Sequence, residues 1–308
     1  MAEALVSLCR FLEYAGAMVL FGSPLLLIYG SPLPASAPVN ELKWIRPLLG
    51  AAALTVLTAT ALGFFAQTSY LAGSLTLAFQ PETLKAALWD MDFGKSSLIR
   101  MGLALLAFIA TIFLPAGKKL WWISATLGGA ICATFAWMGH GAATEGKYGI
   151  VHLAGDIAHT LAAAGWIGAL IVFCGLVTTR VSSPTAQKAL GTSLAQFSLA
   201  GSVFVTIIIG SGLINSAFLV GWDVPRIVST RYGQVLIAKL VLFSLMLALA
   251  LANRIRHTPA WIEALTRGGD PAVALLRLRR SVTVETITAA AVIALVSWLG
   301  MLEPVTAQ

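Results

Sequence analysis

Apolar runs of about 20 residues recur along the whole chain, separated by short polar or Pro- and Gly-containing stretches, and none carries a polar face of its own. At a rise of 1.5 Å per residue, about 20 helical residues cross the roughly 30 Å hydrocarbon core of a bilayer. The pattern predicts an all-α, polytopic transmembrane bundle of about eight spans. They fall near residues 5–29, 44–67, 96–114, 119–138, 152–177, 194–220, 233–252 and 280–301, and they read as a single integral membrane domain covering residues 1–308. Three connections are long. Residues 30–43 are Pro-rich, and residues 68–95 contain Pro81-Glu-Thr-Leu-Lys-Ala-Ala-Leu-Trp89, a helix start and a short amphipathic turn expected along the outer interface. Residues 253–279 form a basic loop with Trp261 expected at headgroup depth.

Composition agrees with that pattern. With 58% hydrophobic and 11% charged residues and a mean hydropathy of +0.87, the chain lacks the polar surface that a soluble protein of 308 residues needs. The start, Met-Ala-Glu, has no basic n-region, and no small-residue cleavage site follows, so span one is expected to be retained. If both termini face outside, the inner loops hold Lys43, Arg46, Lys118, Lys119, Arg180, Lys188, Arg254, Arg256, Arg267, Arg277, Arg279 and Arg280, which is 12 of the 20 basic residues. The positive-inside rule favours that orientation. It also accounts for the net charge of +7 without nucleic-acid binding. The loop after span four then faces outward, which in a Gram-negative cell is the periplasm. No Gly-rich phosphate loop ending in Gly-Lys-Ser/Thr is present, so ATP hydrolysis is not expected, and no enzymatic role is. Cys9, Cys132 and Cys174 sit in three different spans and read as small packing hydrophobes, Cys132 with a second reading as a soft Cu(I) ligand two turns before Met138.

Polar groups within spans are costly in lipid and need a partner or a cavity. Arg10 and Glu13 stand one turn apart, close enough to pair with each other. Arg100 and Lys239 read as snorkelling or structurally paired cations. Glu285 follows the Arg277, Arg279 and Arg280 run, which suggests an ion pair, or else a cation contact on the exit side. The strongest chemical signal is elsewhere. Three of the four histidines fall within twenty residues, in Met138-Gly-His140-Gly, Glu145 and His152-Leu-Ala-Gly-Asp156-Ile-Ala-His159. On a helix His152, Asp156 and His159 share one face. Imidazole suits Cu, Zn, Ni and Fe, thioether sulfur favours Cu(I), and a carboxylate ligates directly or orients an imidazole. His140, His152, Asp156 and His159 are therefore the metal candidates, with Met138, Glu145, Asn215, Lys239 and Glu285 as secondary candidates for metal or for its pathway. The two histidines of span five stand roughly 10 Å apart along the axis, so a stepped pathway is as plausible as one closed site. Haem held by two of these histidines is the rival reading.

From residue 138 onward the chain resembles the copper resistance protein D (CopD) family of bacterial inner-membrane proteins; before it, mainly the hydropathy of four spans fits. The resemblance is carried by Gly139-His140-Gly-Ala-Ala, His152-Leu-Ala-Gly-Asp156-Ile-Ala-His159, Trp166-Ile-Gly168-Ala-Leu170, Phe197-Ser198, Gly210-Ser-Gly212-Leu-Ile-Asn215, Thr230-Arg-Tyr232-Gly233, Lys239, Asn253-Arg254 and Arg280-Ser-Val-x-Val-Glu285. Ala169 stands where the family usually has a second glycine, which we read as a packing change. The resemblance implies eight spans and copper transport from periplasm to cytoplasm. It also implies a small periplasmic copper-binding partner (CopC-like), with copper at His140, His152, Asp156 and His159. A copper sensor or assembly factor that transports nothing is the alternative within the same resemblance.

Overall fold

The computed structural model describes residues 2–30, 42–138, 148–178, 184–221, 224–267 and 270–307. In chain order the helices are α1 (Ala2–Tyr29), α2 (Ile45–Ala72), α3 (Leu75–Ala78), α4 (Pro81–Trp89), α5 (Asp92–Phe113), α6 (Lys118–Thr134), α7 (Gly149–Thr178), α8 (Pro184–Leu219), α9 (Val224–Ser229), α10 (Arg231–Ala252), α11 (Thr258–Arg267) and α12 (Pro271–Leu299). A 3-10 turn, Phe135–Trp137, prolongs α6, and a π turn, Asn253–His257, joins α10 to α11. No strand occurs among the described residues. Eight helices are long and apolar enough to cross a membrane, and they coincide with the eight expected spans.

Local chemistry sets the helix ends. Proline opens α4 and α12, where a missing N–H costs nothing. The Asp270 carboxylate caps α12 by accepting from the N–H groups of Ala272 and Val273 at 2.9 and 3.3 Å. Gly73, at φ 68°, takes the left-handed conformation that ends α2, so the chain turns at once into α3 and α4. These two short helices expose Leu75, Leu77, Phe79 and Trp89 beside Glu82, Lys85 and Asp90, the amphipathic character expected of residues 68–95.

α1 is the hub, packing on α2, α6, α7 and α12, while α7 also packs on α8 and α12. The α1–α7 crossing is backbone against backbone. A Cβ on Gly22 would strike the Ala164 carbonyl and Gly168, and a Cβ on Gly168 would strike Gly22. Ser23 Oγ donates to the Gly168 carbonyl at 3.0 Å across this contact. Without a hydrophobic drive between helices in lipid, such close small-residue approach is what holds spans together. Ala169, the departure from the family pattern, is fully buried, so its methyl fills core space.

Glu13 pairs with a cation, though not with Arg10. Its Oε2 accepts from Arg100 Nη1 at 2.7 Å, both side chains being buried, and Arg100 Nε reaches Thr134 Oγ1 at 3.0 Å. The guanidinium also lies over the Phe135 ring, 4.4 Å from its centroid. Arg10 instead donates to the Gly300 carbonyl at 2.6 Å, which ties the start of α1 to the end of α12 and puts both chain ends at one end of the bundle. From the basic loop, Trp261 enters the bundle interior. It is 1% exposed and belongs to the main core, because the apolar face of α11 folds onto α8 and α12.

Removing one member of a buried ion pair leaves an uncompensated charge. Glu13→Ala is therefore expected to lower stability by about 3–5 kcal/mol, and Glu13→Leu/Arg100→Met to recover more than half of it. Thermal unfolding of the detergent-solubilised protein reads both. Gly168→Val should destabilise by at least about 1–3 kcal/mol in the same assay.

Candidate functional site

Three rungs join α7 to α8. His152 is 1% exposed and stacks on Phe218, ring centroids 4.6 Å apart at 7°. One turn on, Asn215 Nδ2 donates to Asp156 Oδ1 at 3.2 Å. Another turn on, His159 Nδ1 lies 3.1 Å from Ser211 Oγ. As α7 ascends through 152, 156 and 159, α8 descends through 218, 215 and 211, which is the register of two antiparallel helices in tight contact. Glycines permit it. A Cβ on Gly155 would stand 3.2–3.3 Å from Ile214 and Asn215, and one on Gly212 would reach the His159 ring.

The lowest rung fixes a tautomer. Ser211 Oγ donates its one hydrogen to the Ile207 carbonyl at 2.5 Å, so towards His159 it accepts. His159 then carries its proton on Nδ1 and presents Nε2 as the lone-pair nitrogen, the form in which imidazole binds a metal. From α10, partly buried Lys239 comes within electrostatic reach of both Asp156 and His159, and Tyr232 within that of Asp156.

The expected residues thus divide into groups. His152, Asp156, His159, Asn215 and Lys239 gather along one seam. Met138 ends the turn after α6 and packs, partly buried, against the core. Glu285 lies elsewhere, and its partners are neutral. It accepts from Trp166 Nε1 at 3.2 Å and from Asn253 Nδ2 at 2.9 Å, whereas Arg279 and Arg280 are exposed. An ion pair with that arginine run was the expectation. The helix turns the arginines outward and the carboxylate inward. His140 and Glu145 lie outside the described residues. Among the described residues no three His, Cys, Asp or Glu side chains converge as a closed metal cage. The spacing along α7 accounts for that, since its donors are spread over two turns of one helix.

Sequence reasoning passed over Ser211 and Phe218, which complete the rungs. Their signal was the antiparallel i, i+3/4 spacing with respect to Asn215. It became visible only once α8 was known to face α7.

Residues 1–150 match the family described as copper resistance protein D-like, N-terminal domain, and residues 191–299 match the family copper resistance protein D. Copper resistance protein D of Pseudomonas syringae pv. tomato is 33% identical over 99% of this chain and 98% of its own length. Inner membrane protein YebZ of Escherichia coli (strain K12) is 26% identical over 96% of this chain and 97% of its own. Copper transport protein CutJ of Bacillus subtilis (strain 168) is 28% identical over 56% of this chain and 32% of its own. No solved structure matches the chain. None of these names refers to haem.

The register makes a direct prediction. In a background lacking the native cysteines, Asp156→Cys/Asn215→Cys and His159→Cys/Ser211→Cys should cross-link on mild oxidation in native membranes. His152→Cys/Ser211→Cys, offset by roughly 10 Å along the axis, should not. Gel mobility under non-reducing conditions reads the outcome.

Proposed function

The chain belongs to the copper resistance protein D family, and on that premise we propose that it carries copper across the inner membrane, from periplasm to cytoplasm. The observation that supports this most is the α7–α8 seam, where His152, buried, and Asp156 and His159, partly buried, stand on successive turns of one helix face. Copper is the cargo, passed between donors in steps. His140 on the outer side would capture it, His152 and Asp156 receive it, and the Nε2 of His159 takes it deeper. Lys239 balances the Asp156 carboxylate while the seam is empty, and an arriving cation takes over that role. The membrane potential supplies the drive, about 2.3 kcal/mol per positive charge for each 100 mV. A small periplasmic copper-binding protein of the CopC kind would deliver the metal at the outer mouth. No chemical conversion is assigned to the chain; it moves an ion.

Purified protein in liposomes loaded with a copper-sensitive dye tests this. Wild-type protein should pass copper inward under an inside-negative potential, and His152→Ala and His159→Ala should each cut the rate at least tenfold with the fold intact. Stoichiometric copper binding with no flux would leave a sensor or assembly factor in place of a transporter.

A further inference from the structure

Among the described residues two glutamates are buried, and their surroundings differ in kind. Glu13 is held by a cation, Arg100, at 2.7 Å. Glu285, 1% exposed, has only neutral donors: the indole N–H of Trp166 on one oxygen and the amide of Asn253 on the other. The Asn253 Oδ1 is buried with no hydrogen-bond partner, and so is the hydroxyl of Ser281, one turn before Glu285 on the same face of α12. Asn253 itself stands at the first position of the π turn between α10 and α11, a distortion of the kind that recurs at functional sites.

We propose that Glu285 is a proton-binding site within the membrane, alternating between carboxylate and carboxylic acid on the same partners. An amide suits this task where an arginine would not. Its N–H₂ donates to a carboxylate, and a rotation of the amide offers Oδ1, now without a partner, to the hydroxyl of the protonated acid. Trp166 can donate to an oxygen in either state. Ser281, both donor and acceptor, stands on the side from which α12 enters and can pass the proton on through water. The π turn also carries exposed Arg256 and partly buried His257; the other charged and titratable groups on the packed elements are engaged or distant. On α7 these are His159, two turns from Trp166, and Cys174, whose Sγ is 3.9 Å from Thr283 Oγ1. On α10 Lys239 lies roughly 21 Å along the axis from Asn253. Arg254 donates to Ser202 at 2.9 Å, Glu263 holds Arg267 at 3.3 Å, and Arg279 and Arg280 are exposed. On α1 Glu13 is neutralised by Arg100.

A membrane acid that gains and loses a proton can link the passage of a cation to a proton moving through the same bundle. This link rests on the transport reading above; the proton site itself does not.

Infrared difference spectroscopy of the full-length protein in liposomes, without copper, tests the site. A protonated-carboxyl C=O band should appear and vanish as buffer pH is varied. It should be lost in Glu285→Gln, kept in Asp156→Asn and Glu263→Gln, and moved to a different midpoint in Asn253→Leu, which removes the amide but leaves the acid. A band unaffected by Glu285→Gln, or one that follows sodium concentration at fixed pH, overturns the proposal. In the flux assay, an imposed pH gradient should change wild-type copper uptake severalfold and leave Glu285→Gln uptake unchanged. Equal responses overturn the link, whereas an absence of flux in the wild type overturns the transport reading and leaves the infrared result to decide the site.

Discussion

The polar seam of α7 depends on how closely α1 and α7 cross. Gly22 and Gly168 meet without side chains between them, and the Ser23 hydroxyl bridges to the Gly168 carbonyl. In lipid, helices gain little from excluding water, so van der Waals contact and a few hydrogen bonds must supply the association. With α7 anchored against α1 along one side, its opposite face is left for α8 and α12. That face carries His152, Asp156, His159 and Trp166. A single small-residue crossing therefore decides which donors line the interior seam and which would meet lipid.

The buried acids show two solutions to one constraint. An ionised carboxylate in the membrane interior is expensive unless paired. Glu13 takes a full cation, an aromatic face over that cation, and a threonine, and in return it joins α1, α5 and α6 into one unit. Such a pair is costly to break and so suits a fixed scaffold. Glu285 takes neutral donors instead, Trp166 and Asn253, and Asp156 takes the amide of Asn215 with Lys239 within electrostatic reach. Amides accommodate a change of charge, which suits groups that must exchange what they hold. The division follows the chain, with the fixed pair in its first half and the exchangeable acids in its second.

Much of this was legible in the residues themselves. Hydropathy located all eight spans because helix length in a bilayer is set by thickness, and no tertiary information is needed for that. The i, i+4, i+7 spacing placed His152, Asp156 and His159 on one face, and α7 does present them so. Pairings between helices were less accessible. Arg10 is the cation nearest to Glu13 in sequence, yet Arg100, 87 positions away, is its partner, since span-to-span contacts obey packing and not sequence distance. The arginine run before Glu285 misled in the same way, because Arg279 and Arg280 are not whole turns away from Glu285 and so face another side of α12. The basic neighbours of Trp261 did not show that the amphipathic face of α11 carries it against the core.

The position of Lys239 bears on how a cation could move here at all. A fixed positive charge beside the seam would repel a copper ion at His159, and at an effective dielectric constant of about 20 two unit charges 4 Å apart interact by about 4 kcal/mol. Asp156 is the counterweight, since its charge acts on Lys239 from the α7 side. As a cation reaches Asp156, the carboxylate must divide its attraction between ion and ammonium, and the flexible lysine stem on α10 can withdraw. The helix that carries Lys239, α10, packs directly on α12, the one that holds Glu285, the second exchangeable acid. The His/Asp seam and the Trp166–Asn253–Glu285 cluster are thus linked in space through two helices in direct contact.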